Sequence, residues 1–372
     1  MNRALCPTLL CKDALFALIS SLAPKNPGRF PFIMTFNEDA PFQALHKTWQ
    51  PVSNSAELPP GKVIGYTLLN QELVVARFHD GALLAADVAC PHKGARLSAG
   101  RIDGDCLMCP YHGWRFGATG DCQSIPSLIE PNPKKCDLSH LRTYDIQDRY
   151  GMIWVKLDRD SEAKLPEVPE FENDQWSYRL GPPMTFKAGF RREVENYLDM
   201  THFAFAHGTT LGKAADVRIP EMDIKIHDNG FQMDAPFPAL ETPHEQPGKL
   251  QSSHHRQQRC HLPNFTTIRQ TFNDGDERVL VHIPSPNTRE SCTVFWSIAI
   301  SPQFDGPEPD SQIDFAIKVL EEDRDMCELQ IPSEIPLNPT RGGWGVLVTP
   351  GDTLANTFQK TFRQWLQRQI ES

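Results

Sequence analysis

No run of apolar residues in this 372-residue sequence approaches the roughly 20 that a membrane-crossing helix needs. Positive charge is also short. Against 47 Asp and Glu stand 37 Lys and Arg, a formal net charge of −10, which argues against nucleic acid or an acidic membrane surface as partner. Cysteine is sparse, ten residues without the dense even spacing of a disulfide framework; a reducing compartment fits, and the cytoplasm is the expected location. The length does allow two domains, with room for a catalytic core beside a small module. Residues 1–33 differ from the rest, with one acid (Asp13), four bases (Arg3, Lys12, Lys25, Arg29) and an apolar patch from Ala14 to Ile19. They read as a targeting segment, which leaves an organelle open, or as a disordered extension. Residues 1–40 are therefore kept out of the fold.

Two ligand pairs stand out between residues 90 and 112: Cys90-x-His92 and Cys109-x-x-His112. Two thiolates and two imidazoles can hold a tetrahedral zinc or a [2Fe-2S] cluster with the cysteines on one iron and the histidines on the other. The spacing leaves both open; the flanks do not. Cys90-Pro91-His92-Lys93-Gly94 and Cys109-Pro110-Tyr111-His112-Gly113-Trp114 resemble the two cluster-binding loops of Rieske proteins, which implies a cluster on Cys90, His92, Cys109 and His112. Respiratory Rieske loops each carry a further cysteine, and the two form a disulfide. Neither loop has one here, so the resemblance is to the lower-potential domains of oxygenases and ferredoxins. Lys93 stands where many relatives carry arginine, outside the ligand set.

The runs Val63–Leu69, Leu73–Phe78 and Leu83–Val88, with Asp80-Gly81 as a hairpin turn and Tyr150–Leu157 as a closing strand, predict a small all-β domain over residues 41–160. Lys164–Pro183, rich in proline, reads as a linker. Residues 161–372 make the second domain. Its strands are expected at Met222–His227, Phe265–Phe272, Arg278–Pro284 and Cys292–Ile300, in an antiparallel sheet. Pro236–Pro263, long and polar, reads as a lid-like loop. Asp352–Ile370 reads as an amphipathic helix with Leu354, Phe358, Phe362, Trp365 and Leu366 inward.

A second constellation lies in the stretch from Arg191 to Gly208. Asn196, Asp199 and His202 recur every third position, as on one helical face, and His207 follows His202 by five. On an unbroken helix that step leaves the two rings roughly 140° apart, so a shared metal requires the helix to end near Ala206. An isolated pair of this kind is more often two satisfied histidines. Behind a Rieske domain, however, Asn-x-x-Asp-x-x-His-x4-His resembles the motif of Rieske non-heme iron oxygenases. The family implies a mononuclear Fe(II) on His202, His207 and a distant carboxylate, in a stretch similar to Glu322-Asp323-Arg324-Asp325-Met326-Cys327-Glu328-Leu329-Gln330. Periodicity selects Asp323: it shares the stripe of Ile313, Ala316, Leu320 and Cys327, whereas Glu321, Glu322 and Asp325 lie off it. The competing reading of Asp323 is a buried ion pair with an arginine.

The resemblance covers the chain from about residue 41, nearest to caffeine-type N-demethylases, vanillate O-demethylases and saxitoxin-pathway hydroxylases. It implies an α+β protein, an all-β Rieske domain followed by a helix-grip (START-like) catalytic domain. It also implies an oxygenase component that hydroxylates a C–H bond of a small organic substrate with O2, with or without N- or O-demethylation. Electrons come from NAD(P)H through a reductase, directly or by way of a ferredoxin. Asp199 is implied as the bridge between the iron-site histidine and a cluster histidine of a neighbouring subunit, in a head-to-tail homotrimer, and Asn196 as part of the catalytic constellation. The alternatives are arene cis-dihydroxylation and, from another class, an electron-transfer Rieske protein.

Overall fold

The computed structural model describes residues 37–128, 139–208, 210–211, 221–237, 248–338 and 349–371. The expectation for residues 1–33 lies outside these. Branched and aromatic runs punctuated by turn residues give strands along most of this length, and among the described residues only two helices exceed ten residues.

A short helix, α1 (Ala40–Leu45), leads into ten strands: β1 (Gln50–Asn54), β2 (Val63–Leu68), β3 (Gln71–Arg77), β4 (Leu83–Asp87), β5 (Arg101–Asp103), β6 (Cys106–Met108), β7 (Arg115–Phe116), β8 (Cys122–Ser124), β9 (Thr143–Arg149) and β10 (Met152–Lys156). They form a six-stranded antiparallel sheet in the order β1-β10-β9-β4-β3-β2 and a four-stranded sheet β5-β6-β7-β8. The expected hairpin is present, with Gly81 at φ +93 supplying the left-handed turn residue. Val74, Ala76, Leu84, Leu97, Leu107 and Phe116 pack together with Cys90 and Cys109, so the two ligand loops rise directly from this domain's core.

In the second half, α2 (Pro169–Glu172), β11 (Ser177–Leu180) and β12 (Met184–Phe186) precede two helices, α3 (Phe190–Leu198) and α4 (Phe203–Ala206). Then come β13 (Asp223–His227), β14 (Gly230–Phe237), β15 (His254–His261), β16 (Phe265–Phe272), β17 (Glu277–Thr288), β18 (Ser291–Ile300), α5 (Pro309–Glu328) and α6 (Thr353–Glu371). The sheet order is β11-β18-β17-β16-β15-β14-β13, with β12 also on β18, and every pairing is antiparallel. Four of these strands match the expected runs. Two segments differ from expectation. The proline-rich stretch read as a linker contributes β11, whose four residues pair with Ser297–Ile300. Pro236–Pro263, read as a loop, holds the end of β14 and all of β15, in the middle of the sheet; residues 238–247 of it lie outside the described set.

The large sheet is covered on both faces. On one, Val279, Val281, Ile283, Phe295 and Ala299 share a core with Tyr150, Met152 and Trp154 of the first domain, and backbone bonds from Leu69 and Asn70 to Pro286 and Asn287 (2.9 and 2.8 Å) tie the β2–β3 turn to it. On the other face lie the helices, with the Tyr197 ring of α3 4.0 Å from the His282 ring of β17. The stripe of α6 closes this side: Leu354, Phe358, Phe362, Trp365 and Leu366 are all buried, and Phe362 sits 6.0 Å from the Phe190 ring at the start of α3. Because Phe362 is wholly buried, Phe362→Ala should lower the free energy of unfolding by about 3–5 kcal/mol. Urea unfolding of the purified protein measures this; a loss under about 1 kcal/mol would mean that α6 does not hold the helical layer.

Candidate metal centres

The two loops carrying Cys90 and Cys109 are built on one hydrogen-bond pattern. In each, the cysteine N–H donates to the carbonyl five residues on (Ala95, 2.9 Å; Trp114, 2.8 Å), and the glycine four residues on donates back to the cysteine carbonyl (Gly94, 2.8 Å; Gly113, 3.1 Å). Both glycines have positive φ, +70 and +68, which a residue with a Cβ adopts only at a cost. The cysteines are buried, and the imidazoles of His92 and His112 meet edge to face at 4.5 Å. Burial pushes the Cys90 thiol up to about 11, against the pull of the His92 and Lys93 backbone N–H groups aimed at it.

Two buried cysteines beside a buried His92 Nδ1 with no hydrogen-bond partner are a costly arrangement for a protein interior. It is what a metal group held through deprotonated sulfur and imidazole nitrogen would resolve. The backbone N–H groups beside the sulfur suit a sulfide-bearing cluster. Among the described residues, the four donor atoms also do not converge as closely as the second group does, which suits two irons better than one tetrahedral zinc.

The second group is His202, His207 and Asp323. The His202 and His207 Nε2 atoms are 3.1 Å apart, His207 Nε2 lies 3.0 Å from Asp323 Oδ1, and His202 Nε2 lies 3.4 Å from the same oxygen. First-row metal bonds of about 2.0–2.2 Å at right angles would separate neighbouring ligand atoms by about 3 Å, so the triangle has the size of one face of a coordination octahedron. The rings reach it by a route different from the one expected. Helix α3 ends at Leu198, and Asp199 is extended (φ −76, ψ 133); Asn196, Asp199 and His202 therefore do not share one helical face. The break is chemical, because the Asp199 carboxylate accepts from the Thr201 N–H and hydroxyl, both at 2.7 Å, a local bond that competes with continued helix. A new helix, α4, then runs between His202 as its N-cap and His207 as its C-cap, placing the two rings at its opposite ends.

The other ring nitrogens are each held by a carboxylate. His202 Nδ1 lies 3.3 Å from Asp199 Oδ2, and His207 Nδ1 lies 2.8 Å from Glu322 Oε2. A carboxylate on one nitrogen fixes the ring and directs the lone pair of the other outward, here Nε2 toward the common point. Burial works against protonation of His202, but the bonds to Asp199 and Asp323 outweigh it and raise its pKa to about 9; His207 is raised by Asp323 and Glu322 against the same burial. Burial would raise Asp323, yet the two imidazoles hold its carboxyl well below the usual range. Asn196 donates to Asp323 Oδ1 at 2.7 Å, and the carboxylate is 6% exposed while Asp325 on the same helix is exposed. Among the described residues the charged partner of Asp323 is thus the histidine pair, not an arginine.

A domain model for the Rieske [2Fe-2S] domain matches residues 48–145, and one for the vanillate O-demethylase oxygenase C-terminal domain matches residues 186–372, half of the chain. The chain belongs to the Rieske oxygenases. It is 30% identical to the methylxanthine N3-demethylase NdmB of Pseudomonas putida over 310 residues, 78% of this chain and 83% of the relative. The structure of Pseudomonas putida NdmA with caffeine superposes with a TM-score of 0.76 at 25% identity, covering 90% of this chain and 94% of that one. Dicamba monooxygenase shares the fold at a TM-score of 0.72 and 19% identity, over 88% of this chain and 99% of its own.

A Rieske oxygenase uses a [2Fe-2S] cluster and a mononuclear iron, and takes its electrons from a reductase system to act on a small molecule. Among the described residues of this one, no helix is long and apolar enough to cross a membrane. Sequence reasoning missed Glu322, set aside as off the buried stripe of α5. Its carboxylate also accepts from the Thr210 hydroxyl. The signal available was its position beside Asp323, one step around the helix toward the α4 side, but periodicity alone ranks such a residue as surface.

Three substitutions separate these roles. Asp323→Ala should lose the mononuclear iron and turnover while keeping the cluster's visible absorbance, and Asp325→Ala should retain both; the reverse ranking in iron analysis would refute Asp323 as ligand. Glu322→Gln should weaken iron retention about 10- to 100-fold, the usual loss when the partner of a metal-bound histidine is removed, measured by competition with a chelator.

Proposed function

We propose that His202, His207 and Asp323 hold the mononuclear iron, that Cys90, His92, Cys109 and His112 hold the cluster, and that the enzyme is a monooxygenase whose substrate carries an N- or O-methyl group. The observation that carries this reading is the convergence of the three donor atoms within 3.0–3.4 Å of one another. When bound, the metal groups supply electron storage at the cluster and oxygen activation at the iron. The chain's own residues supply position. Asp199 and Glu322 hold the two Nδ1 atoms, and Asn196 holds the Asp323 oxygen that faces the imidazoles. Demethylation is favoured by the methylxanthine N-demethylases among its relatives: oxidation of a methyl carbon next to nitrogen or oxygen gives a product that sheds formaldehyde.

Electron transfer between neighbouring chains is part of the same proposal. His112 is exposed, Tyr111 beside it is 65% exposed, and Phe205 between the two iron-site histidines is 78% exposed. Each centre thus presents an open, partly apolar edge, and a head-to-tail trimer would bring a cluster edge of one chain against the Asp199–His202 edge of the next. A reductase, with or without a ferredoxin, and a cytoplasmic location complete the reading. Formaldehyde release from methylamine or methoxyarene substrates, with a surrogate reductase, tests the chemistry; a cis-diol in its place would establish dihydroxylation. Mixed oligomers of Cys109→Ala and His207→Ala chains should recover part of the activity that each lacks alone. Persistent inactivity in verified mixtures would mean that electrons stay within one chain.

A further inference from the structure

The inner face of the large sheet, the face turned toward α3 and α4, carries an unusual row. The register aligns Arg256 of β15 with Gln270 of β16, and Gln270 with Arg278 of β17, so the three stand side by side across adjacent strands. Both arginines are 5% exposed. Arg278 donates to Gln270 Oε1 at 3.0 Å, but its Nε has no partner, and neither has the Nε of Arg256. Among the described residues neither guanidinium has a carboxylate within ion-pair distance. The buried groups nearby give no negative charge: burial pushes the Tyr197 phenol up, and it lowers His254 to about 4, so both are neutral. Burial also lowers both arginines, to about 10, which still leaves them cationic at neutral pH. Two unpaired buried cations are strongly disfavoured unless something compensates them.

The row belongs to the iron site. The Arg256 guanidinium lies 5.5 Å from the centre of the Phe203 ring, and that ring is 4.9 and 5.8 Å from the rings of His202 and His207. A second ring, Phe237, supports the same guanidinium at 5.2 Å. Tyr197 stands between the two regions, close enough to feel Asp323 on one side and both arginines on the other. Aromatic support on the guanidinium face leaves its N–H edge for an oxyanion, two of whose oxygens guanidinium matches in parallel bonds.

We propose that the substrate of this oxygenase is an organic oxyanion, a carboxylate or sulfonate, whose charged end is bound by Arg256 and Arg278 and whose oxidised carbon faces His202, His207 and Asp323. This rests on the oxygenase reading of that same centre. It adds what the metal ligands cannot specify, namely which class of molecule enters and which way round it lies. The anion supplies the charge that the row lacks among the described residues, and its apolar body lies toward Phe203, next to the triad.

The test uses holoenzyme with cluster absorbance and iron content verified, and isothermal titration calorimetry with matched probes: 4-methoxybenzoate, 4-methoxybenzenesulfonate and the neutral 4-methoxybenzamide. Benzoate or sulfonate should bind at least 10-fold more tightly than the amide, and the preferred anion identifies the headgroup. Arg256→Gln and Arg278→Gln should each weaken anion binding by roughly 30-fold or more, the cost of leaving a buried charge pair with one partner. Amide binding, cluster absorbance and iron content should be unchanged. Arg256→Lys, which keeps the charge in a similar volume, should recover part of the affinity and serves if a glutamine variant fails to fold. Equal affinity for anion and amide, no binding of either anion, or unaltered anion binding in the folded glutamine variants would overturn the proposal. Loss of the oxygenase reading itself would register separately, as wild-type protein without iron or cluster.

Discussion

The structure of the catalytic half depends on one constraint: the Asp323 carboxylate is buried and its Oδ1 must face two imidazole nitrogens at 3.0 and 3.4 Å. A carboxylate in such a place is tolerable only with opposite charge and hydrogen bonds around it. Each neighbouring element supplies part of that. Helix α3 sends Asn196, α4 presents a histidine at each end, and α5 contributes Glu322, which braces His207 from the opposite side. The break between α3 and α4 follows from the same need, since a continuous helix would turn the two rings away from each other. Thr201, through its bonds to Asp199, makes that break a property of the local sequence.

Beneath the triad the interior handles charge in two different ways. Glu193 is fully buried, and burial with the nearby Asp323 charge raises its pKa well above the ordinary value, while burial lowers His282 to about 3. Burial thus disfavours charge on each of them; Glu193 Oε1 lies 2.8 Å from His282 Nε2, and Glu193 Oε2 accepts from the Cys327 thiol at 3.1 Å. This layer supports Asp323 from below without adding net charge. Around the inner sheet face the opposite holds, because arginine remains cationic even when burial lowers it to about 10. The centre is thus negative at the carboxylates around the histidine pair, without net charge beneath, and positive along the strands.

How much of this was legible in the sequence depends on which physical signal each residue carried. The two loops were readable as a matched pair because each sets a glycine four residues after a cysteine with a histidine between them, and the backbone bonds that the two loops share are the physical content of that spacing. Asp323 was readable because a carboxylate at a buried helical position breaks the hydrophobic stripe. Phe358, Phe362 and Trp365 were readable as an ordinary amphipathic face. The helix break at Asp199 was not, since a three-residue spacing fits a helix and the deciding bond, from Thr201 to a side chain two residues back, is not periodic.

The strand β15 is the most instructive miss. Its sequence, His254-His255-Arg256-Gln257-Gln258-Arg259-Cys260-His261, has no apolar alternation, so binary patterning assigns it to a loop. Yet the burial alternates along it, with His254, Arg256, Gln258 and Cys260 inward and the residues between them more exposed. The period of two is present in position and absent in hydrophobicity. A strand in the middle of a sheet that gives up apolar side chains on its inward face loses the burial that usually stabilises such an element, and its eight-residue pairings with β14 and β16 must hold it instead. Local rules tend to fail in this way at functional sites, where a residue is retained for what it binds and other contacts carry the fold. The polar row that hides β15 from sequence reasoning is therefore the same feature that gives the sheet face beside the triad its positive charge.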